Sequence, residues 1–286
     1  ASEPIHEAEE RGFEVIRTLP LQRTSFTQGL EVLDESIFQS SGLYGESRLS
    51  EIDLQSGNIL REMPINDSYF AEGITVLGES IIMLTWKEEQ AFRIDISNFS
   101  IIENYSFDGE GWGICFNGEY LVMSNGTSEI SFRDPYTFEI NHTIQVTWNG
   151  QPVSRINELE CVGGEILANV WLQDVILSID SISGSVQYFI SPTSITSMQG
   201  NNPNEVLNGI AFDKSSGGLW ITGKNWTHIY LLEISDLVSS DEIQETNQLA
   251  SFSAIAIISI ILILLLLGSI RNKNEPETPN FKDSPP

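Results

Sequence analysis

The chain has 286 residues, of which 14 are Lys or Arg and 40 are Asp or Glu, so its formal net charge is −26 at pH 7. Such an acidic chain disfavours nucleic acid and anionic membrane surfaces as partners. Its length is sufficient for one large domain with a substantial core. The acidity favours a solubilising surface, and a basic substrate stays open as an alternative.

The first residues of the chain are predicted to lie outside the folded domain. Residues 1–12 are acidic and show no apolar periodicity, which predicts a disordered segment. The sequence begins at Ala1, as expected of a chain whose signal peptide has been removed. Residues 13–19 then alternate between apolar and polar side chains and predict a β-strand.

Five segments begin alike and predict five repeats of one β-rich unit. Four of the segments contain a glycine at the same place, namely Gly29, Gly73, Gly113 and Gly209, and successive glycines are 44, 40 and 96 residues apart. Leu159 marks the remaining unit, between Gly113 and Gly209. The segments are 26–30, 70–74, 111–114, 156–159 and 207–210. A period of 40–50 residues with several short strands is typical of a β-propeller. The sequence therefore predicts an all-β, five-bladed β-propeller over residues 13–235.

The last repeat is short of one strand. Residues 209–235 have room for three strands only, at 209–212, 218–222 and 228–234. We expect the N-terminal strand at 13–19 to supply the missing fourth, because this would close the ring and remove two exposed sheet edges.

An apolar segment near the C-terminus predicts a membrane anchor. Residues 247–270 contain no charged side chain, and 249–270 is long enough to cross a bilayer as a helix. Arg271 and Lys273 follow it, so the positive-inside rule predicts a cytoplasmic tail at 271–286 and a large domain outside the cell. The polar residues 236–248 form a linker. A buried core helix is the alternative for the apolar segment.

The two cysteines lie in the opening strands of adjacent repeats. Cys115 belongs to the third unit and Cys161 to the fourth. A disulfide is compatible with an exported domain, but two buried free thiols are the favoured interpretation.

The repeats bring polar and aromatic residues to one mouth of the predicted central channel. The second strands of the five units end at equivalent residues, namely Tyr44, Trp86, Asn125, Trp171 and Lys224. With Trp112, three tryptophans are then expected beside Gln28, Glu72 and Asn157, which predicts an aromatic-walled pocket with a few polar groups. A single Trp could instead pack blade against blade, and Glu72 could instead join blades by accepting backbone N–H bonds.

Several chemistries lack the residues they need. The three histidines are far apart, and no His, Cys or carboxylate spacing indicates a metal site. No Gly-x-Ser-x-Gly motif or plausible Ser/His/Asp set is present. We therefore expect no metal and no cofactor, and chemistry that relies on a carboxylate, an ammonium group, amides and aromatic walls.

At these residues the chain resembles the plant-type glutamine cyclotransferases, the glutaminyl-peptide cyclotransferases known from papaya latex. The resemblance covers residues 13–235. The segments that carry it, all in order, are 25–30, 70–75, 84–87, 109–113, 150–153, 156–160, 168–171, 207–211 and 222–226. Membership would imply a five-bladed propeller, which agrees with the repeat count.

The resemblance implies an enzyme that converts the N-terminal glutaminyl residue of a peptide or protein to pyroglutamate and releases ammonia. It implies that Glu72 shuttles the proton. It also implies a set of substrate-binding side chains, namely Phe26, Gln28, Trp86, Trp112, Asn157, Trp171 and Lys224. One departure is Asn125, because the family usually has Asp there. The anchor at 249–270 also differs from the soluble latex enzyme.

Elementary chemistry fits this implied reaction. A neutral α-amine must attack its own side-chain amide, and the leaving nitrogen must gain a proton, so one carboxylate such as Glu72 can serve both steps. Lys224 or Asn157 could stabilise the developing oxyanion. Two other functions stay open: a non-enzymatic extracellular propeller that binds a partner, and a metal-dependent lactonase, for which Glu72 and Glu158 are the available carboxylates.

Overall fold

The computed structural model describes residues 8–199, 202, 205–235 and 237. Two strands come first, β1 (Glu9–Glu10) and β2 (Phe13–Pro20). The first three blades are sheets of four consecutive strands. Their bounds are β3 (Thr27–Leu33), β4 (Ser36–Ser41), β5 (Arg48–Asp53) and β6 (Ile59–Pro64); β7 (Ala71–Leu77), β8 (Ser80–Thr85), β9 (Gln90–Asp95) and β10 (Ile101–Ser106); and β11 (Ile114–Phe116), β12 (Leu121–Ser124), β13 (Glu129–Arg133) and β14 (Ile140–Gln145).

The remaining strands form a small hairpin and the last two blades. The hairpin consists of β15 (Thr147–Trp148) and β16 (Gln151–Pro152), and the fourth blade of β17 (Ile156–Val162), β18 (Glu165–Val170), β19 (Ile176–Asp180) and β20 (Val186–Ile190). A short helix, α1 (Thr193–Thr196), and a 3₁₀ turn (Ser197–Gln199) follow. The fifth blade contains β21 (Leu207–Asp213), β22 (Gly218–Gly223) and β23 (His228–Ile234). The fold is the predicted five-bladed β-propeller.

The N-terminal strand closes the ring, as the short last repeat predicted. β2 pairs antiparallel with β23, with Phe13 opposite Ile234 and Pro20 opposite His228. The fifth blade thus has the order β2-β23-β22-β21. β2 thus covers the outer edge of β23, which would otherwise be unpaired.

The expected disorder at 1–12 does not hold for the end of that segment. Glu9 and Glu10 form β1, which pairs in parallel with Tyr188 and Phe189 of β20. The Arg11 guanidinium carbon lies 3.4 Å from the centroid of the Tyr188 ring. Backbone pairing on an open blade edge, together with this cation–π contact, orders a segment that has no apolar periodicity of its own. Residues 1–7 lie outside the described residues.

Aspartates end the third strands of several blades and shape the turns that follow. Asp95 accepts hydrogen bonds from the backbone N–H and hydroxyl of Ser97, and Asp180 accepts the backbone N–H of Ser183. These bonds stabilise the charged form and hold the pKa of both aspartates below the usual carboxyl value. The carboxylates thereby fix each tight turn to the outer strand.

Glycines let the innermost strands approach one another closely around the axis. A Cβ on Gly73 would lie 2.7 Å from the carbonyl oxygen of Trp112, and one on Gly113 would lie 2.1 Å from that of Asn157. The obstacles are backbone atoms, which cannot rotate away. The glycine of the repeated motif is therefore a packing requirement of the ring.

We predict that Gly113→Ala destabilises the propeller by about 1–3 kcal/mol or more, because the added methyl overpacks two backbones. Urea unfolding should show a lower midpoint. Gly12→Ala is the matched control, since a Cβ there meets nothing within 4 Å. Equal midpoints for the two variants would show that the inner strands can separate at little cost.

The two cysteines form a disulfide, so the favoured interpretation of two free thiols is wrong. Cys115 on β11 and Cys161 on β17 are bonded, with their Cα atoms 5.5 Å apart. The sequence shows only that both lie in opening strands. Their pairing follows from the side-by-side packing of the opening strands of the third and fourth blades, which places these two side chains face to face.

The predicted transmembrane helix at 249–270 and the tail at 271–286 lie outside the described residues, as does the linker at 236–248 apart from Leu237. Within the part of the chain that the structure describes, no helix has the length and hydropathy needed to cross a bilayer.

Candidate active site

All eight predicted site residues line one cavity of about 310 Å³. The cavity contains Phe26, Gln28, Glu72, Trp86, Trp112, Asn157, Trp171 and Lys224, together with Leu43 and Phe70. The residues come from all five blades, so the ring, and not any single blade, creates the site. The three tryptophans face this cavity, which rules out the alternative that they only pack between blades.

Irregularities at the start of the inner strands position the polar side chains. The pairing register shifts between Thr27 and Gly29, between Ala71 and Ile74, and between Ile156 and Leu159. Each shift is a β-bulge, which re-aims the side chain that it contains. Gln28, Glu72 and Asn157 each lie within one of these bulges and line the cavity.

Glu72 is the buried carboxylate of the cavity, with 5% of its surface exposed. Its Oε1 accepts a hydrogen bond of 2.8 Å from Nε2 of Gln28. Burial raises the pKa of Glu72 well above the ordinary carboxyl value; the positive charge of Lys224 acts in the opposite direction, and Glu110 and Glu88 raise the pKa further. A carboxylate in this environment binds a proton more readily than an exposed one.

Lys224 is the buried cation of the cavity. It is 6% exposed, and its Nζ lies 4.6 Å from the centroid of the Phe26 ring. Burial lowers the pKa of Lys224, and the charge of Glu72 opposes this shift. Its backbone N–H donates to the carbonyl of Val206, which holds the end of β22 over the cavity.

A second buried carboxylate, Glu158, joins the blades. Its Oε1 accepts the backbone N–H of Leu30 and its Oε2 accepts that of Ile210, at 3.2 and 2.9 Å. This is the structural role that was the alternative for Glu72. Glu158 takes the position that glycine occupies in the other four repeats.

The amide of Asn157 offers an unused acceptor. Asn157 is 3% exposed, and its Oδ1 is buried without a hydrogen-bond partner among the described residues. Leaving a buried carbonyl oxygen unpaired costs free energy, and such atoms in a cavity are candidates for ligand contact.

Aromatic rings form two walls of the cavity. On one side Phe70 packs edge-on against Phe26 and Trp86, with centroid distances of 6.3 and 5.5 Å. On the other side Trp112 and Trp171 pack edge-on at 5.7 Å. Edge-to-face contacts of this kind fix ring orientation as well as position.

Two residues that line the cavity and one beside it were not predicted, and two predicted neighbours, Tyr44 and Asn125, do not line it. Phe70 could have been found, because it precedes Glu72 as Phe26 precedes Gln28. Leu43 carries no such signal; it adopts a positive φ of 95°. Glu110 accepts hydrogen bonds from two cavity tryptophans although it does not line the cavity. The Tyr44 ring packs edge-on against Phe70, and its hydroxyl donates to Glu88.

Asn125 does not line the cavity, and its side chain is used within the turn that follows β12. Its Oδ1 accepts the backbone N–H and the hydroxyl of Thr127, at 3.1 and 2.6 Å. A carboxylate oxygen could accept the same two bonds, so the turn at the end of β12 does not depend on which residue is present.

Among the described residues, no group of three or more His, Cys, Asp or Glu side chains is arranged to hold a metal ion.

Comparisons with known proteins agree with the geometry. The sequence model of the family described as glutamine cyclotransferase matches residues 1–234. A glutaminyl-peptide cyclotransferase of Arabidopsis thaliana is 34% identical over 226 residues, covering 77% of this chain and 71% of that protein. The crystal structure of Myxococcus xanthus glutaminyl cyclase superposes with a TM-score of 0.74 at 34% identity, covering 80% of this chain and 98% of the other. The chain belongs to the glutamine cyclotransferase family.

Proposed function

We infer that this protein is a glutaminyl-peptide cyclotransferase, which converts an N-terminal glutaminyl residue of a peptide or protein to pyroglutamate and releases ammonia. The observation that carries this inference is the buried Glu72 carboxylate, which is hydrogen-bonded to Gln28 and shares an aromatic-walled cavity with Lys224. The family to which the chain belongs, and the names of both relatives, support the same reaction.

Glu72 can carry the proton through both halves of the reaction. The α-amine of the substrate attacks the side-chain amide carbon, a C–N bond forms, and the amine proton passes to the carboxylate. The same proton then goes to the amide nitrogen as the second C–N bond breaks, so ammonia leaves and Glu72 is regenerated. Its raised pKa suits this shuttle, because general acid–base catalysis is most effective when the catalytic pKa lies near the working pH.

The aromatic walls can hold the substrate in the geometry that ring closure needs. Ring closure is intramolecular, so its rate depends on how often the amine lies within reach of the amide carbon. Rings fixed edge-on at Trp112 and Trp171 can confine the flexible glutaminyl side chain in the folded conformer that cyclisation requires.

Lys224 and Asn157 suit two different tasks. The Lys224 ammonium is a donor only, so it suits the oxygen that becomes negative in the tetrahedral intermediate. The unpaired Oδ1 of Asn157 is an acceptor, so it suits an N–H of the substrate amine or amide. We therefore propose Lys224 as the oxyanion partner and Asn157 as a substrate-orienting group.

The test is ammonia release from a short peptide that begins with Gln, compared with the same peptide carrying an acetylated N-terminus. The free peptide should release ammonia and the blocked one should not, because the attacking amine is gone. No release from the free peptide would favour the binding module. Release abolished by a chelator would favour a metal enzyme.

We also propose that residues 249–270 anchor the protein in a membrane as a single helix, with the tail at 271–286 in the cytoplasm and the catalytic domain outside the cell. The uncharged apolar run and the following Arg271 and Lys273 support this. The full chain should stay with membranes after carbonate washing, whereas a chain that ends at 248 should be released. Release of both would refute the anchor.

A further inference from the structure

We propose that Glu110 is a positioning residue of the active site, which holds the indoles of Trp86 and Trp112 in the orientation that accepts the substrate. This inference rests on the proposed function, because it assigns those indoles to the substrate cavity. Glu110 itself does not line the cavity and acts through the two rings.

One oxygen of Glu110 joins the two rings. Its Oε2 accepts the indole N–H of Trp86 at 2.8 Å and that of Trp112 at 2.9 Å. The two tryptophans come from neighbouring blades and lie in the wall of the same cavity. Hydrogen bonds to a charged acceptor are stronger than neutral ones, so a single carboxylate can set the angle of both rings.

The other oxygen of Glu110 faces a cation. Nζ of Lys87 lies 3.7 Å from Oε1 of Glu110 and 3.8 Å from the centroid of the Trp86 ring. Lys87 therefore contacts both the carboxylate and one of the rings that the carboxylate holds. The pair is half-exposed, so its charge attraction contributes little stability, and its effect is on side-chain position.

The backbone around Glu110 is shaped to present it. The N–H of Gly111 donates to the carbonyl of Trp86 at 2.9 Å, which fastens the loop to the end of β8. A Cβ on Gly111 would lie 2.6 Å from the carbonyl oxygen of Thr85, so only glycine allows this approach. The two glycines that flank Glu110 thus have a physical reason: Gly109 adopts a positive φ of 92° and Gly111 permits the contact.

Glu110 also affects the charge of the site. Three charged groups act on Glu72: Lys224 lowers its pKa, whereas Glu110 and Glu88 raise it. Removing the charge of Glu110 while keeping its shape should therefore shift the acid limb of the pH–rate profile to lower pH, a change that a loss of folding would not produce.

The experiment compares Glu110→Ala with Glu110→Gln in the full chain. Glu110→Ala should lower kcat/KM for a Gln-initiated peptide by about tenfold, because two hydrogen bonds to a charged acceptor are lost and the rings are freed. Glu110→Gln keeps a carbonyl oxygen for the indoles, so it should recover most of this loss and show the shifted acid limb. Near-ultraviolet circular dichroism should change in the alanine variant only.

Glu165→Ala is the matched control, because one oxygen of Glu165 also accepts two hydrogen bonds, from Ser178 and Tyr188, away from the cavity. It should leave kcat/KM unchanged. Equal kcat/KM for Glu110→Ala and the wild type, or a glutamine variant as impaired as the alanine one, would overturn the proposal. If the wild type itself releases no ammonia, the proposed function fails, and the circular dichroism still reports whether Glu110 holds the rings.

Discussion

Replacing Glu72 with Gln is expected to lower kcat for cyclisation by about 10²–10⁴-fold, the range associated with loss of general acid–base catalysis. The amide keeps the size of the side chain and a carbonyl oxygen for Nε2 of Gln28, but it cannot accept and return a proton. Ammonia release under saturating substrate measures the effect. Glu165→Gln serves as the control, since that carboxylate lies outside the cavity and should be kinetically silent.

The same variant should be at least as stable as the wild type above neutral pH. A carboxyl group whose pKa is raised in the folded protein favours folding in its protonated form, so its contribution is lost as pH rises through the folded pKa. The melting temperature should therefore fall less between pH 5 and pH 8 for Glu72→Gln than for the wild type. If Glu72→Gln does not fold, Glu72 has a structural role. Near-normal turnover in a folded Glu72→Gln variant would contradict the role of Glu72 as proton shuttle.

The expected combination of lower activity and higher stability in Glu72→Gln follows from the burial of this side chain. Burial makes the carboxylate costly, and that cost is what moves its pKa toward the working range. Glu158 shows the contrast: it is also buried, but it accepts two backbone N–H groups and does not line the active-site cavity. Burial alone does not identify a catalytic carboxylate; access to the cavity does.

Much of the fold and the cavity could be predicted because the repeat fixes them. Equivalent positions in a propeller meet at one end of the axis, so Glu72 and Trp171 could be placed together although they are 99 residues apart in the chain. The strand formed by Glu9 and Glu10 could not be predicted, because it depends on pairing with the open edge of β20. The position of Glu110 could not be predicted either, because it depends on the conformation of a loop that does not recur in the other repeats.

The disulfide is a third feature that periodicity did not reveal, and its removal is expected to have the largest effect on stability. Cys115 and Cys161 are 46 residues apart. In the chain-entropy treatment, closing a loop of this length stabilises the fold by roughly 4 kcal/mol, since it restricts the unfolded chain. The double variant Cys115→Ala and Cys161→Ala should therefore unfold at a clearly lower urea concentration than the wild type.

Reductant provides the control for this prediction. It should lower the unfolding midpoint of the wild type and leave that of the double variant unchanged; a wild type indifferent to reductant would contradict the stabilising role. The bond joins β11, which follows Trp112, to β17, which contains Asn157, so it connects two sides of the cavity. Because it acts mainly on the unfolded chain, we expect the folded double variant to keep its KM while losing its resistance to denaturant.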